Sequence, residues 1–135
     1  MGLDTSHDAW HGSYGAFSRW RDHLAEVAGY ESAVLKDDYR STILIDWGHI
    51  TDKSLYGEWD QTPADPLIVL IAHSDCEGVI HPEQAKPLAN RLEELLPGLD
   101  EGESGGHIWS MREVTERFIE GLRAAADAGE DLDFH

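Results

Sequence analysis

Apolar side chains recur at helical spacing over residues 13–28, and this pattern predicts an amphipathic helix. Ser13 stands directly before the pattern, where its hydroxyl would cap the helix, and Gly29 follows as a stop signal. The positions of the predicted buried stripe are Phe17, Trp20, Leu24 and Val27.

Two further apolar stretches, 66–73 and 82–96, are separated by a polar loop. Asp65 and Pro66 resemble an N-cap and a first helical residue, so we favour a short helix at 66–73. The β-branched residues there would suit a buried strand equally well. Leucines on one face predict a helix over the second stretch, but Pro87 would kink a helix beyond its first turn, so the regular part is expected near residue 87.

A last long helix is predicted to end at Ala128, because Ser110 and Glu113 form a capping-box pattern before it. Its core positions would be Met111, Val114, Phe118, Leu122 and Ala125. Two short strands are expected at 42–46 and in the closing residues, and we expect the closing strand to pair with Ile43–Ile45. Residues 30–41 read as irregular.

Together these elements predict one domain over 1–135, mainly α with a small β element (an α+β fold). A helix–loop–helix at 66–96 would be flanked by the N- and C-terminal amphipathic helices. Residues 1–12 would form a polar N-terminal segment, and 100–107 a flexible loop.

The formal net charge of −17 makes binding to a nucleic-acid backbone or an anionic membrane unfavourable. A solvated acidic surface, cation binding and polyanion mimicry stay open. The N-terminus lacks the pattern of a secretory leader, and the single cysteine fits a reducing cytosol.

The loop over 73–84 resembles a calcium-binding EF-hand loop in its turn-forming half. Gly78 stands where such a loop turns sharply, and Ile80 where it meets the core. However, His73 occupies the first ligand position and Gln84 the last, where a calcium loop needs carboxylates. The pattern therefore favours a zinc-like ion over calcium, with a metal-free turn as the alternative. The candidate ligands are His73, Asp75, Glu77 and His81.

A second group of His and Asp residues offers another candidate metal site, in which a bound ion would activate water for a hydrolase. Its members are Asp4, His7, His11, Asp46 and His49. The alternative is that these side chains cap and pack. Trp10, Tyr56 and Trp59 are candidate walls of a ligand pocket, although packing is the favoured interpretation of the last two.

Three blocks carry a family likeness: SYGAFSRWRDHLAEVAG, HSDCEGVIHPEQAKPLANRLEELLP and the closing GEDLDFH. With them the chain resembles a group of small, acidic, uncharacterised proteins of actinobacteria and their phages. The resemblance implies a cytosolic, mostly helical single domain and no particular activity.

These observations favour a small cytosolic binding or regulatory module, not an enzyme, organised by the 73–84 loop and its candidate divalent metal. Its partner would be an unidentified protein or small molecule. A metal-dependent hydrolase is one alternative. The other is a phage-type inhibitor or ligand-sequestering protein with an acidic surface.

Overall fold

The protein is described by a computed structural model over residues 2–28, 32–34, 41–43, 53–59, 63, 65–74, 77–99 and 111–135. The helices are α1 (Tyr14–Val27), α2 (Leu67–Ile71), α3 (Pro82–Leu95) and α4 (Met111–Ala128). The strands are β1 (Gly2–Asp4), β2 (His11–Ser13), β3 (Ser32–Val34), β4 (Ser41–Ile43), β5 (Gly78–Ile80) and β6 (Leu132–Phe134). Short 3₁₀ turns lie at Ser6–Asp8, Ser54–Tyr56 and Leu96–Gly98. This confirms the predicted fold class, mainly α with a small β element.

The helices form where the apolar pattern and caps predict them. The Ser13 hydroxyl accepts the backbone N–H of Ala16 at 3.1 Å, and the Asp65 carboxylate accepts that of Leu67 at 3.0 Å. Phe17, Trp20 and Leu24 are buried with the leucine face of α3 and the apolar face of α4 in one core.

Three predictions on local structure were wrong. The helix α3 begins at Pro82 and runs through Pro87, so the proline does not delay its regular part. Residues 32–34 form a strand where we expected irregular chain, and this strand pairs with β4. The closing strand β6 pairs with β5, antiparallel, instead of with 43–45.

The strand β6 joins distant parts of the chain. It pairs with β5, with Val79 opposite Asp133. Beyond it, an isolated bridge joins Thr5 to Phe134, and Asp4 and His135 exchange two backbone hydrogen bonds of 3.3 and 2.9 Å. The C-terminus is thereby held between β5 and the β1–β2 hairpin.

The loop of the β1–β2 hairpin lies directly on α4. A Cβ atom added at Gly121 would overlap the Cβ of Ala9 and lie 2.8 Å from its Cα, so only glycine fits at this crossing. Below the hairpin, the Trp10 ring stacks on Trp20 with centroids 5.2 Å apart and meets Phe17 edge-on at 5.1 Å. The hairpin is thus fixed against both α1 and α4. No helix of the described ranges is long and apolar enough to cross a membrane.

Candidate functional site

His73, the first candidate ligand of the 73–84 loop, lies in the core and is 2% exposed. Its Nδ1 lies 2.8 Å from the carbonyl oxygen of Ser74, and its Nε2 lies 2.9 Å from that of Val79. Both partners are acceptors, and a neutral imidazole carries only one N–H. In each tautomer, therefore, only one of the two contacts is a hydrogen bond. Because both nitrogens face carbonyl oxygens, metal ligation by His73 would require one of the contacts to break.

The surroundings of His73 oppose its protonation. Burial is the main cause that lowers the pKa of His73, and the nearby Arg21 guanidinium acts in the same direction. The carbonyl groups of Ser74 and Val79 partly offset this shift. The ring also stacks on Phe134 with centroids 4.1 Å apart. His73 therefore joins the end of α2 to β5 and β6 as an uncharged core side chain.

The predicted metal site at 73–81 stays a prediction. Asp75 and Cys76 lie outside the described residues, and Glu77 is exposed. Over the ranges that the structure covers, no three His, Cys, Asp or Glu side chains form a group that could hold a metal ion.

His81 precedes α3 and bridges two carboxylates. Its Nδ1 lies 2.8 Å from Oδ1 of Asp131, and its Nε2 lies 3.1 Å from Oε1 of Glu58. The hydrogen bond to Asp131 is the main cause that raises the pKa of His81, and Glu58 contributes in the same direction. His81 thus ties the 53–59 segment and the C-terminal segment to the start of α3, and its protonated form is the one that both carboxylates favour.

Stability should depend on pH through His81 in a defined direction. Since its folded pKa is raised above 6.5, its contribution is present below that pH and is lost as pH rises through the folded value. The variant His81→Asn keeps a side chain that can cap α3 but removes the charge. We expect chemical unfolding to show that wild type has a larger free energy of unfolding than this variant. The difference should be larger at about pH 5.5 than at about pH 9.

The comparison isolates His81. The lowered pKa of His73 gives the opposite dependence of stability on pH. Because His73 is present in both proteins, its contribution cancels in the difference. A gap in free energy of unfolding that stays constant or widens with rising pH would contradict the assignment.

The second predicted cluster separates into pairs. His11 Nδ1 bonds the Asp4 carboxylate, whereas His7 Nε2 lies 3.0 Å from Oε1 of Glu130. Asp46 and His49 lie outside the described residues. The described members of this group therefore do not meet at one point.

A hydroxyl that the sequence pattern did not indicate joins the His7 pair. Ser6 Oγ lies 2.9 Å from His7 Nδ1 and accepts the backbone N–H of Asp133 at 2.9 Å. The chain Ser6–His7–Glu130 thus connects the hairpin turn to the end of α4 and to β6. Since its two outer members are far apart in sequence, only the fold brings them together.

The three candidate pocket aromatics differ in their environment. Tyr56 is 44% exposed, and Trp59 packs partly buried against the core. Trp10 is 5% exposed and forms part of a cavity wall. Of the three, Trp10 is therefore the one that lines this cavity.

The cavity beside Trp10 has a volume of about 350 Å³ and lies between the hairpin, the start of α1 and the first half of α4. Ala9, Ala16 and Val114 provide its apolar wall. The polar groups at its edge include the Arg117 guanidinium and the His11 imidazole. Sequence reasoning missed Val114 and Arg117 as site residues, because helical periodicity does not show which distant segment faces them.

The indole N–H of Trp10 is buried and has no hydrogen-bond partner among the described residues. It lies beside Gly12, another wall residue, because a Cβ added there would come within 3.5 Å of Trp10 Nε1. Most buried donors in proteins are paired, so an unpaired one on a residue that lines a cavity points to an acceptor that the protein itself does not supply. Chemically, the cavity can hold a small molecule that combines an apolar body with an acceptor.

Comparisons with known proteins add no relative to this picture. No family model, no curated protein and no solved structure matches the chain.

Proposed function

We propose that the protein is a small binding module that takes a small molecule into the cavity beside Trp10. The observation that carries this proposal is the unpartnered indole N–H of Trp10, a residue that lines the cavity. A buried donor without a partner costs about 1–3 kcal/mol, and an acceptor on a ligand would recover that cost on binding.

The dimensions and rigidity of the cavity support the proposal. Its volume of about 350 Å³ lies within the range of small-molecule sites in proteins. Trp10 is held by Phe17 and Trp20, and Ala9 is held by Gly121. A wall fixed in this way loses little conformational freedom when a ligand binds, which favours affinity.

The loop at 73–81 has an architectural part in this proposal. His73 and His81 connect α2, β5, α3 and the C-terminal segment. These contacts support the prediction that the loop organises the domain, with or without an ion. The cytosolic location, the metal-dependent hydrolase and the inhibitor of a host protein stay predictions.

Binding can be tested with two probes of similar shape, benzoate and benzamide, each with an aromatic ring and an acceptor oxygen. We expect at least one to bind saturably by calorimetry and to raise the unfolding temperature. In Trp10→Phe, which keeps a ring but removes the N–H, affinity should fall about fivefold, as expected for one hydrogen bond.

The matched control is Trp59→Phe. Trp59 also has a buried indole N–H without a partner among the described residues, but it is not a wall residue of this cavity. Its replacement should leave the affinity unchanged. Failure of both probes to bind, or equal losses in the two variants, would overturn the proposal.

A further inference from the structure

We infer that the ligand of this cavity carries a carboxylate, and that Asp8 competes with this carboxylate for Arg117. The inference rests on the proposed function and adds the chemical class of the ligand and a residue that controls its affinity.

Several of the residues that line the cavity carry hydrogen-bond donors. Trp10 offers its N–H, Arg117 its guanidinium, and Ser13 and Ala16 place the first turn of the 14-residue helix α1 in the wall. The first N–H groups of a helix have no partner within the helix and carry a partial positive charge. The Ser13 hydroxyl accepts one of these groups, the N–H of Ala16, and a Cβ added at Gly15 would meet nothing within 4 Å, so there is open space beside this helix start.

Donors of this kind match an anion. Arginine binds carboxylates through two parallel hydrogen bonds, and a helix start favours negative charge. The apolar wall of Ala9, Ala16 and Val114 would contact the rest of the ligand. An aromatic or aliphatic monocarboxylate satisfies both halves of the cavity.

Asp8 already provides Arg117 with such a partner. Arg117 Nε donates to the Asp8 carbonyl oxygen at 2.8 Å, and Nη2 donates to Asp8 Oδ1 at 2.5 Å. The Asp8 side chain is 87% exposed, and its backbone has a φ of 55°, which L-residues rarely adopt. Exposed ion pairs contribute little to stability, so a ligand carboxylate can replace this one.

The test measures benzoate and benzamide binding by calorimetry in wild type, Asp8→Asn and Arg117→Gln. Asparagine tolerates a positive φ, so Asp8→Asn removes the charge and keeps the turn. We expect benzoate to bind more tightly in Asp8→Asn by up to about fivefold, whereas benzamide binding stays the same. Arg117→Gln should weaken benzoate about tenfold or more and benzamide much less.

The control for net charge is Asp127→Asn. Asp127 is exposed, lies on α4 like Arg117, and is not a wall residue of the cavity. This substitution should leave both affinities unchanged. If Asp8→Asn fails to fold, as judged by circular dichroism, Asp8→Gly provides the same test, because glycine adopts a positive φ freely.

The outcomes separate this inference from the proposed function. Equal affinities for benzoate and benzamide in all the variants would overturn the carboxylate assignment and leave a cavity that binds neutral molecules. Equal gains in Asp8→Asn and Asp127→Asn would overturn the competition by Asp8. If neither benzoate nor benzamide binds, the proposed function is overturned and this inference with it.

Discussion

Replacing Trp20 with alanine is expected to destabilise the protein by about 3–5 kcal/mol, the usual cost of removing a large aromatic side chain from a core. Trp20 is 0% exposed and contacts Phe118, with ring centroids 4.9 Å apart. Its indole N–H donates to Thr115 Oγ1 at 2.8 Å, so the side chain joins α1 to α4. Denaturant unfolding followed by circular dichroism would measure the loss.

The variant Trp20→Phe provides the comparison. It keeps an aromatic ring but loses the hydrogen bond to Thr115 and part of the volume, so its cost should be clearly smaller. Trp20 also supports the ring of Trp10 from below. We therefore expect Trp20→Ala to weaken probe binding even under conditions in which it is folded. Equal stability of the two variants would contradict the central packing role of the indole.

Gly57→Ala should also destabilise strongly, by about 2–5 kcal/mol from backbone strain and overpacking together. Gly57 has a φ of 98°, and a Cβ atom there would overlap the carbonyl oxygen of Val79 and lie 2.9 Å from its carbonyl carbon. The 53–59 segment would have to move away from β5. Because Glu58 follows directly, the contact with His81 would weaken as well.

Gly129→Ala is the matched control for Gly57→Ala. Gly129 has a positive φ of 67°, but a Cβ there would meet nothing within 4 Å. The variant Gly129→Ala should therefore lower the free energy of unfolding by about 1–2 kcal/mol, the cost of backbone strain alone. Chemical unfolding of both variants gives the difference. Equal losses would mean that the close contact between Gly57 and Val79 has no energetic consequence.

The helices could be predicted from the sequence because α1, α3 and α4 have a strong apolar period, and because α1 and α2 follow a residue that can cap them. Ser13 and Asp65 place the starts of α1 and α2 by hydrogen bonds that depend on only a few neighbouring residues. The prediction at Pro87 was wrong because it relied on a local rule: the missing N–H and the ring of a proline both disfavour a position beyond the first turn of a helix. Pro87 is the sixth residue of the 14-residue helix α3, which continues through it.

Strand pairing could not be predicted, because strands of three residues carry almost no information about their partners. The alternation in 132–134 correctly indicated a strand with two buried positions, Leu132 and Phe134. Its pairing with β5 joins segments that lie far apart in the chain, which local sequence does not encode.

The candidate site was only partly visible for the same reason. Trp10 and His11 stood out as an aromatic and a candidate ligand close to a helix start. Arg117 and Val114 reach the same cavity from about a hundred residues away in sequence. His73 shows the converse problem. A histidine in a polar loop suggests a ligand, whereas its carbonyl partner at Val79 is set by the fold of the loop.

The most direct test of ligand binding beside Trp10 is an NMR titration of the ¹⁵N-labelled protein with benzoate. Each of the five tryptophans gives one indole N–H resonance, and Trp10→Phe identifies that of Trp10. We predict that the Trp10 resonance moves saturably as its N–H gains an acceptor, while that of Trp59 stays in place. A Trp10 resonance that does not move up to about 10 mM benzoate, well into the range of weak binding, would contradict this account.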